Sequence, residues 1–264
     1  MKIYYYDNGE GGNPDKWSKN WGDIVAPTII KHFSNSNNLV TTCKKIETPK
    51  IISIGSVMIA ATYNDLIWGT GVIAETQRLR PLNQDNIFAT RGPKTRQFLM
   101  NLGYSVPEIY GDPALLYPQI YNPEIKVTHE WGIIPHYIDV NHPMVQTLVK
   151  RGVKFIDICA GEKEFIDQLK SVKKVLSSSL HGLISADAYG IPNARINLTG
   201  KLLGGDFKFE DYALSVNRNH FKGVHLTADT NLDDIVLSEN IDWDQKPLLD
   251  NAPWNHKVYK ELFY

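Results

Sequence analysis

Short runs of β-branched and aromatic residues alternate with amphipathic, helix-like segments over most of this chain, and few folds accommodate that alternation. Strand-like runs stand at residues 2–6, 50–54, 66–68 and 87–90, and again at 132–137, 153–159 and 174–178. Helical patterns fall between them at 24–33, 56–62, 143–151, 162–172 and 181–189, and Pro93 opens one more that Gly103 closes. Asp23 is placed to N-cap the 24–33 helix, whose first turn tolerates Pro27. Strand, helix, strand in this order predicts the α/β class, with parallel sheets built from βαβ units.

A chain of 264 residues can bury a substantial core as one large or two small domains. The regular pattern lapses between residues 111 and 128, where Pro113, Pro118 and Pro123 interrupt any period. The expected division is therefore two α/β units of similar architecture, 1–124 and 125–264. The tail over 232–264 reads as helical and is expected to pack back onto the first unit.

The 28 basic and 29 acidic side chains nearly balance, and no segment gathers Lys and Arg densely, so nucleic acid is not an expected partner. The longest apolar stretch, residues 51–73, is broken by Asn64 and Asp65, and the N-terminus has no apolar signal region. A cytoplasmic chain without a membrane span is expected. Cys43 and Cys159 stand apart from each other and from histidine pairs, and read as small buried hydrophobes.

Ligands of parallel sheets gather beyond the carboxyl ends of strands, where helix N-termini offer free N–H groups to anions. Three loops have that address. Asn20-Trp21-Gly22-Asp23 precedes the first helix and reads as a cap with a turn glycine, Asp23 being a candidate contact for a substrate hydroxyl. In Ala89-Thr90-Arg91-Gly92-Pro93-Lys94-Thr95 an arginine meets a helix N-terminus, the makings of an oxyanion pocket. The plainer reading there is an arginine neutralised by a neighbouring acid, with Lys94 facing solvent. In the third loop, Ser177, Ser178 and Ser179 lie between a strand and a small-residue helix whose first turn holds His181. The helix dipole disfavours protonation at that position.

Other chemistries lack their residues. Gly69-Thr70-Gly71 follows a strand without the third glycine of a dinucleotide fingerprint, and no Gly-x-Ser-x-Gly elbow occurs. His129, His136 and His142 lack the spacing of a zinc pair, so no metal site and no cofactor are expected.

At these loops the sequence resembles the polysaccharide pyruvyl transferase family. The likeness runs through Asn20-Trp21-Gly22-Asp23, Trp68-Gly69-Thr70-Gly71, Arg91-Gly92-Pro93-Lys94-Thr95 and Gly111-Asp112-Pro113-Ala114. It continues in Ile134-Pro135-His136-Tyr137, in Ser179-Leu180-His181-Gly182 and in Ala188-Tyr189-Gly190-Ile191-Pro192. The resemblance implies two Rossmann-like domains facing a central cleft, similar to GT-B glycosyltransferases. It also implies phosphoenolpyruvate as donor and a sugar hydroxyl pair of an exopolysaccharide, capsule or cell-wall glycan as acceptor. A lipid-linked acceptor would bring the protein to the inner membrane face.

Family members hold the donor with an Arg of the first domain and an Arg-Leu-His run of the second. These carry over to Arg91, Leu180 and His181, with Ser179 standing where the second arginine would be. The unmatched charge then falls to another cation, Lys208 or Arg218. His181 is the expected proton donor and Asp23 the expected base, with Asn20 beside it for the acceptor and Lys94 and Thr95 as added donor contacts. Two rival readings are a GT-B glycosyltransferase, whose nucleotide ribose would need Glu210 or Asp211, and a non-catalytic glycan-binding subunit with a decayed donor site at Ser179.

Overall fold

The computed structural model describes residues 1–6, 20–36, 38–200 and 203–263. The polar loop expected after the first strand falls, over 7–19, outside the described residues. Among the described residues there are two parallel five-stranded sheets and eight α-helices. The first sheet contains β1 (Lys2–Tyr4), β2 (Val40–Thr42), β3 (Lys50–Ile52), β4 (Leu66–Trp68) and β5 (Ile87–Ala89), in the order β2-β1-β3-β4-β5. Its helices are α1 (Trp21–Ile24), α2 (Ala26–Ser34) and α3 (Pro93–Asn101). Every residue of β3, β4 and β5 is buried, as strands covered on both faces require, which is why they read as unbroken apolar runs.

The second sheet contains β6 (His129–Ile134), β7 (Lys154–Phe155), β8 (Val172–Ser177), β9 (Asn193–Asn197) and β10 (Val224–His225), ordered β10-β9-β8-β6-β7. With it go α4 (Pro143–Lys150), α5 (Glu162–Lys170), α6 (Leu180–Ala188) and α7 (Phe207–Ser215). In each sheet the chain reverses its direction of travel across the strands once, beside β1 and β3 in the first and beside β6 and β8 in the second. Ligand crevices of open α/β sheets lie at such reversals. The segments there are 53–56 after β3, 135–136 after β6 and 178–181 after β8.

Several local expectations are corrected. The 56–62 segment forms only a 3-10 turn over Met58–Ala60, since Val57 and the neighbouring loop tie to Thr70 rather than to a helical ladder. Asp23 lies inside α1, and the cap is Asn20, whose Oδ1 accepts from Gly22 N at 3.0 Å. The tail is mostly irregular, with α8 (Lys246–Asp250) and three 3-10 turns among its described residues, Leu232–Asp234, Pro253–Asn255 and Lys260–Leu262. Cys43 and Cys159 are half-buried and not in a disulfide.

The proline-punctuated stretch is packed, not exposed: in the 3-10 segment Pro113–Gln119, residues Pro113 to Tyr117 are all buried. They fill the space between α2 and α6. One apolar cluster accordingly runs through both sheets, from Ile3 and Trp68 to Phe165 and Ile184. Polar ties cross with it. Trp21 Nε1 donates to the Glu162 carbonyl at 3.1 Å, and Thr28 Oγ donates to the Glu162 carboxylate. No helix among the described residues is long and apolar enough to cross a membrane.

Residues 248–263 pack over Trp68 and Phe88 of the first sheet and join the same apolar cluster. Trp254 meets Trp68 edge-on, ring centroids 4.8 Å apart, and Trp68 Nε1 donates to the Leu248 carbonyl at 2.9 Å. His256 and Tyr259 stand edge-on to Phe88. Replacing the 5%-exposed Trp254 by alanine leaves a large cavity against Trp68. Trp254→Ala should therefore cost about 3–5 kcal/mol, read as a lower urea midpoint with unchanged slope.

Candidate functional site

The site is built around the β8–α6 junction. Ser177 Oγ donates to the Ile134 carbonyl at 2.8 Å and accepts from Ser179 N at 3.0 Å, which ties the ends of β6 and β8 together and turns the chain into α6. Ser179 is the N-cap residue but makes no side-chain capping bond, so the N-terminus of this nine-residue helix is left open. Its free N–H groups and dipole favour an anion there. Leu180 packs into the core at 5% exposure.

His181, the second residue of α6, projects onto segments that belong with the first sheet. A Cβ at Gly22 would lie 1.9 Å from His181 Nδ1, so this position of α1 admits only glycine while the ring is in place. Gly55, after β3, faces Cε1. On the remaining side His181 Nε2 is 3.7 Å from Asp112 Oδ2. Both atoms are fully enclosed and neither has a hydrogen-bond partner. Asp112 Oδ1 is engaged elsewhere, accepting from Ala114 N at 3.0 Å to cap the 113–119 turn.

Arg91 and the N-terminus of α3 do form an anion pocket, and the chain's own Asp211 fills it. Arg91 Nε and Nη2 approach Asp211 Oδ2 at 3.0 and 2.8 Å. Thr95 N donates to Oδ1 at 2.8 Å and Thr95 Oγ to Oδ2 at 2.7 Å. Asp211, on α7, thus caps α3 across the two sheets. A Cβ at Gly92 would lie 1.9 Å from the Asp211 carbonyl oxygen, so this glycine admits the close approach of α7. The other Arg91 donors go to Ser56 Oγ at 2.6 Å and the Val72 carbonyl at 2.9 Å, and the side chain is wholly buried.

Lys208, one turn before Asp211, is 8% exposed and has no ion pair or hydrogen bond among the described residues. Burial pulls its ammonium down to about 8, with the positive charges of Arg91 and Arg195 adding to the effect and Asp23 opposing it. His136, after β6, is lowered to about 4 by burial and then by the Lys208 charge, so it is neutral at physiological pH. Its backbone is fixed by Ser178, whose Oγ accepts from His136 N at 2.9 Å and donates to Asp139 at 2.7 Å. Arg195 stacks on Phe209, 3.7 Å from the ring centroid, pairs with Asp206, and keeps an unpartnered buried Nε. Lys208 thus lies near two further cations, Arg91 and Arg195, each of which has its own carboxylate partner.

Asp23, Arg91 and Arg195 act electrostatically on Lys208, and His136 feels the charges of both Lys208 and His181. Lys94 pairs with Glu210 and lies 4.9 Å above the Phe207 ring. Arg218 is spent on a bidentate pair with Asp187. Of the two cations that could replace the absent arginine, Lys208 is the one without an ion pair among the described residues, its Nζ lying 5.5 Å from the Phe209 ring centroid. Asp112 and His136 were not singled out by sequence reasoning, although both stand in segments that carried the resemblance. Among the described residues no group of three or more His, Cys, Asp or Glu is placed to hold a metal.

An uncompensated buried cation costs stability. The unfolded chain binds a proton on Lys208 up to about 10.5, the folded chain only to about 8. Stability should rise with pH across that window and carry the full penalty below it. Lys208→Met is expected to stabilise the protein by roughly 2–4 kcal/mol at pH 7. The advantage over wild type in urea unfolding should shrink between pH 8 and 10.5.

The family model described as polysaccharide pyruvyl transferase matches residues 50–198, from β3 to β9, a span that holds Arg91, Asp112, His136 and His181. A protein of Acanthamoeba polyphaga mimivirus, described as uncharacterized protein L143, is 30% identical over 213 residues, 77% of this chain and 74% of the relative. A crystal structure of a functionally uncharacterized protein from Klebsiella pneumoniae subsp. pneumoniae NTUH-K2044 aligns at 14% identity over 86% of this chain and 92% of that one, with a TM-score of 0.47. Since the family match takes in more than half of its residues, this chain belongs to the polysaccharide pyruvyl transferase family, a family of transferases.

Proposed function

We propose that the protein is a phosphoenolpyruvate-dependent pyruvyltransferase that attaches pyruvate as a ketal to two hydroxyls of a glycan sugar. The observation that carries this reading is Lys208, a buried cation with no ion pair among the described residues, whose charge reaches His136 as does that of His181 at the open end of α6. An anionic donor supplies the missing negative charge. Phosphoenolpyruvate brings a phosphate and a carboxylate, and the α6 N-terminus and Lys208 are two distinct places to receive them. Arg91 adds positive charge from behind and can bond the donor directly only by releasing Asp211.

The reaction then balances with groups of the chain. His181 gives a proton to the donor methylene, forming a methyl group and leaving positive charge on the adjacent carbon, which its oxygen substituent shares. One sugar hydroxyl attacks that carbon and its proton passes to Asp23. The second hydroxyl attacks the same carbon, inorganic phosphate leaves with the electron pair of its C–O bond, and the second hydroxyl proton leaves with it or through Asp23. No cofactor enters. A proton donor positioned in this way is worth roughly 100-fold to 10,000-fold in rate.

In this reading the two sheets are two Rossmann-like domains, 1–124 and 125–264, meeting as in GT-B enzymes. The acceptor belongs to exopolysaccharide, capsule or cell-wall synthesis in the cytoplasm, at the inner membrane face when it is lipid-linked. The nucleotide-sugar alternative loses its ribose ligands, because Asp211 is wholly buried against Arg91 and Glu210 is paired with Lys94. The test is incubation with phosphoenolpyruvate and candidate oligosaccharides, beside a panel of nucleotide sugars. The expected outcome is an acceptor mass gain of one pyruvate ketal with release of phosphate. His181→Gln should bind phosphoenolpyruvate within a few-fold of wild type in calorimetry and turn over roughly 100-fold to 10,000-fold more slowly. A glycan that binds without phosphate release from any donor would favour the non-catalytic subunit.

A further inference from the structure

His181 has two ring nitrogens, and the structure treats them differently. Nε2 is fully enclosed, faces the equally enclosed Asp112 Oδ2 at 3.7 Å, and has no other partner. The tenth of the side chain that stays exposed lies elsewhere than at Nε2, and Nδ1, beside Gly22, is not among the enclosed and unpartnered atoms. Asp112 is itself immobilised, since its other oxygen caps the 113–119 turn and its side chain is wholly buried. A buried carboxylate oxygen and a buried imidazole nitrogen, each orphaned and each the other's neighbour, are costly unless they bond when the site tightens. Contacts of this kind in unliganded sites are often long and shorten in the complex.

We propose that Asp112 is the positioning residue of His181: its Oδ2 accepts from Nε2–H, locks the ring in that tautomer, and turns Nδ1 toward the substrates. The carboxylate also stabilises the imidazolium through its negative charge. In the transfer reaction the imidazolium's Nδ1–H bond breaks as the methylene C–H bond forms, and the ring is left neutral with its proton on Nε2, still donated to Asp112. Asp112 touches no substrate and acts only through His181. The kinetic part of this inference rests on the pyruvyl-transfer reading, and the tautomer does not.

The test is nitrogen-15 NMR of histidine-labelled protein at about pH 9, where an ordinary imidazole is neutral, the His181 signals being assigned by their loss in His181→Gln. Wild type should show the Nε2–H tautomer alone. Asp112→Asn keeps an oxygen for the Ala114 N–H and replaces the acceptor by an amide donor, so the His181 signals should move to the Nδ1–H tautomer. Its turnover of phosphoenolpyruvate should fall by roughly 100-fold or more with KM changed less than about threefold, as expected for loss of the correct tautomer. An Nδ1–H tautomer in wild type, or the same tautomer in both proteins, would overturn the proposal, and the wild-type spectrum decides it even if the variant does not fold. If no acceptor is ever pyruvylated, the transfer reading fails while the tautomer shift still reports on Asp112.

Discussion

The geometry of the site depends on where the carboxylate of Asp211 goes. Four donors from the first half, two of Arg91 and two of Thr95, converge on it from α3 and the loop before it. Removing this charge from water is expensive, and only so complete a set of partners offsets it. With Asp211 held, α7 is clamped against α3, and Lys208 is carried one turn away into the space between the sheets. The ion pair contributes little net stability by itself. Its effect is register: it decides which face of α7 looks inward, and so which of its charged side chains are buried.

Much of the scaffold is legible in the sequence because its strands are buried on both faces. Ile51-Ile52, Leu66-Ile67-Trp68 and Ile87-Phe88-Ala89 announce themselves as apolar runs. β9 and α7 do not, since each buries charge. Arg195 lies in the middle of β9, tolerable only because Asp206 and the Phe209 ring receive it, and α7 buries Lys208 and Asp211 on its inner side. Hydropathy patterns cannot register a charge whose partner is distant in the chain. β2 was missed for the opposite reason, being a short edge strand with two of its three residues exposed.

The same limit applies to the site. His181 is recognisable from its place between a strand and a small-residue helix, which is local information. One oxygen of Asp112 caps the turn that follows it, a local bond; the other faces a histidine of the opposite sheet. Arg91 before a helix N-terminus reads as an anion pocket, correctly in chemistry, but the occupant comes from α7. Local sequence specifies what a group can bind. Which group arrives is a property of the packed whole.

The cover that residues 248–263 place over Trp68 and Phe88 also bears on how the protein is made. Strands β4 and β5 leave the ribosome long before Trp254, His256 and Tyr259 do, so during synthesis the first sheet has an aromatic face and no lid for it. Its closing contacts are among the longest-range in the molecule, and such contacts form late because the intervening chain must first be ordered. The second sheet, whose strands and helices alternate within residues 129–225, has no comparable debt to later sequence. The half synthesised first is therefore the half finished last, and until then its exposed tryptophan and phenylalanine are the surface that a chaperone would shield.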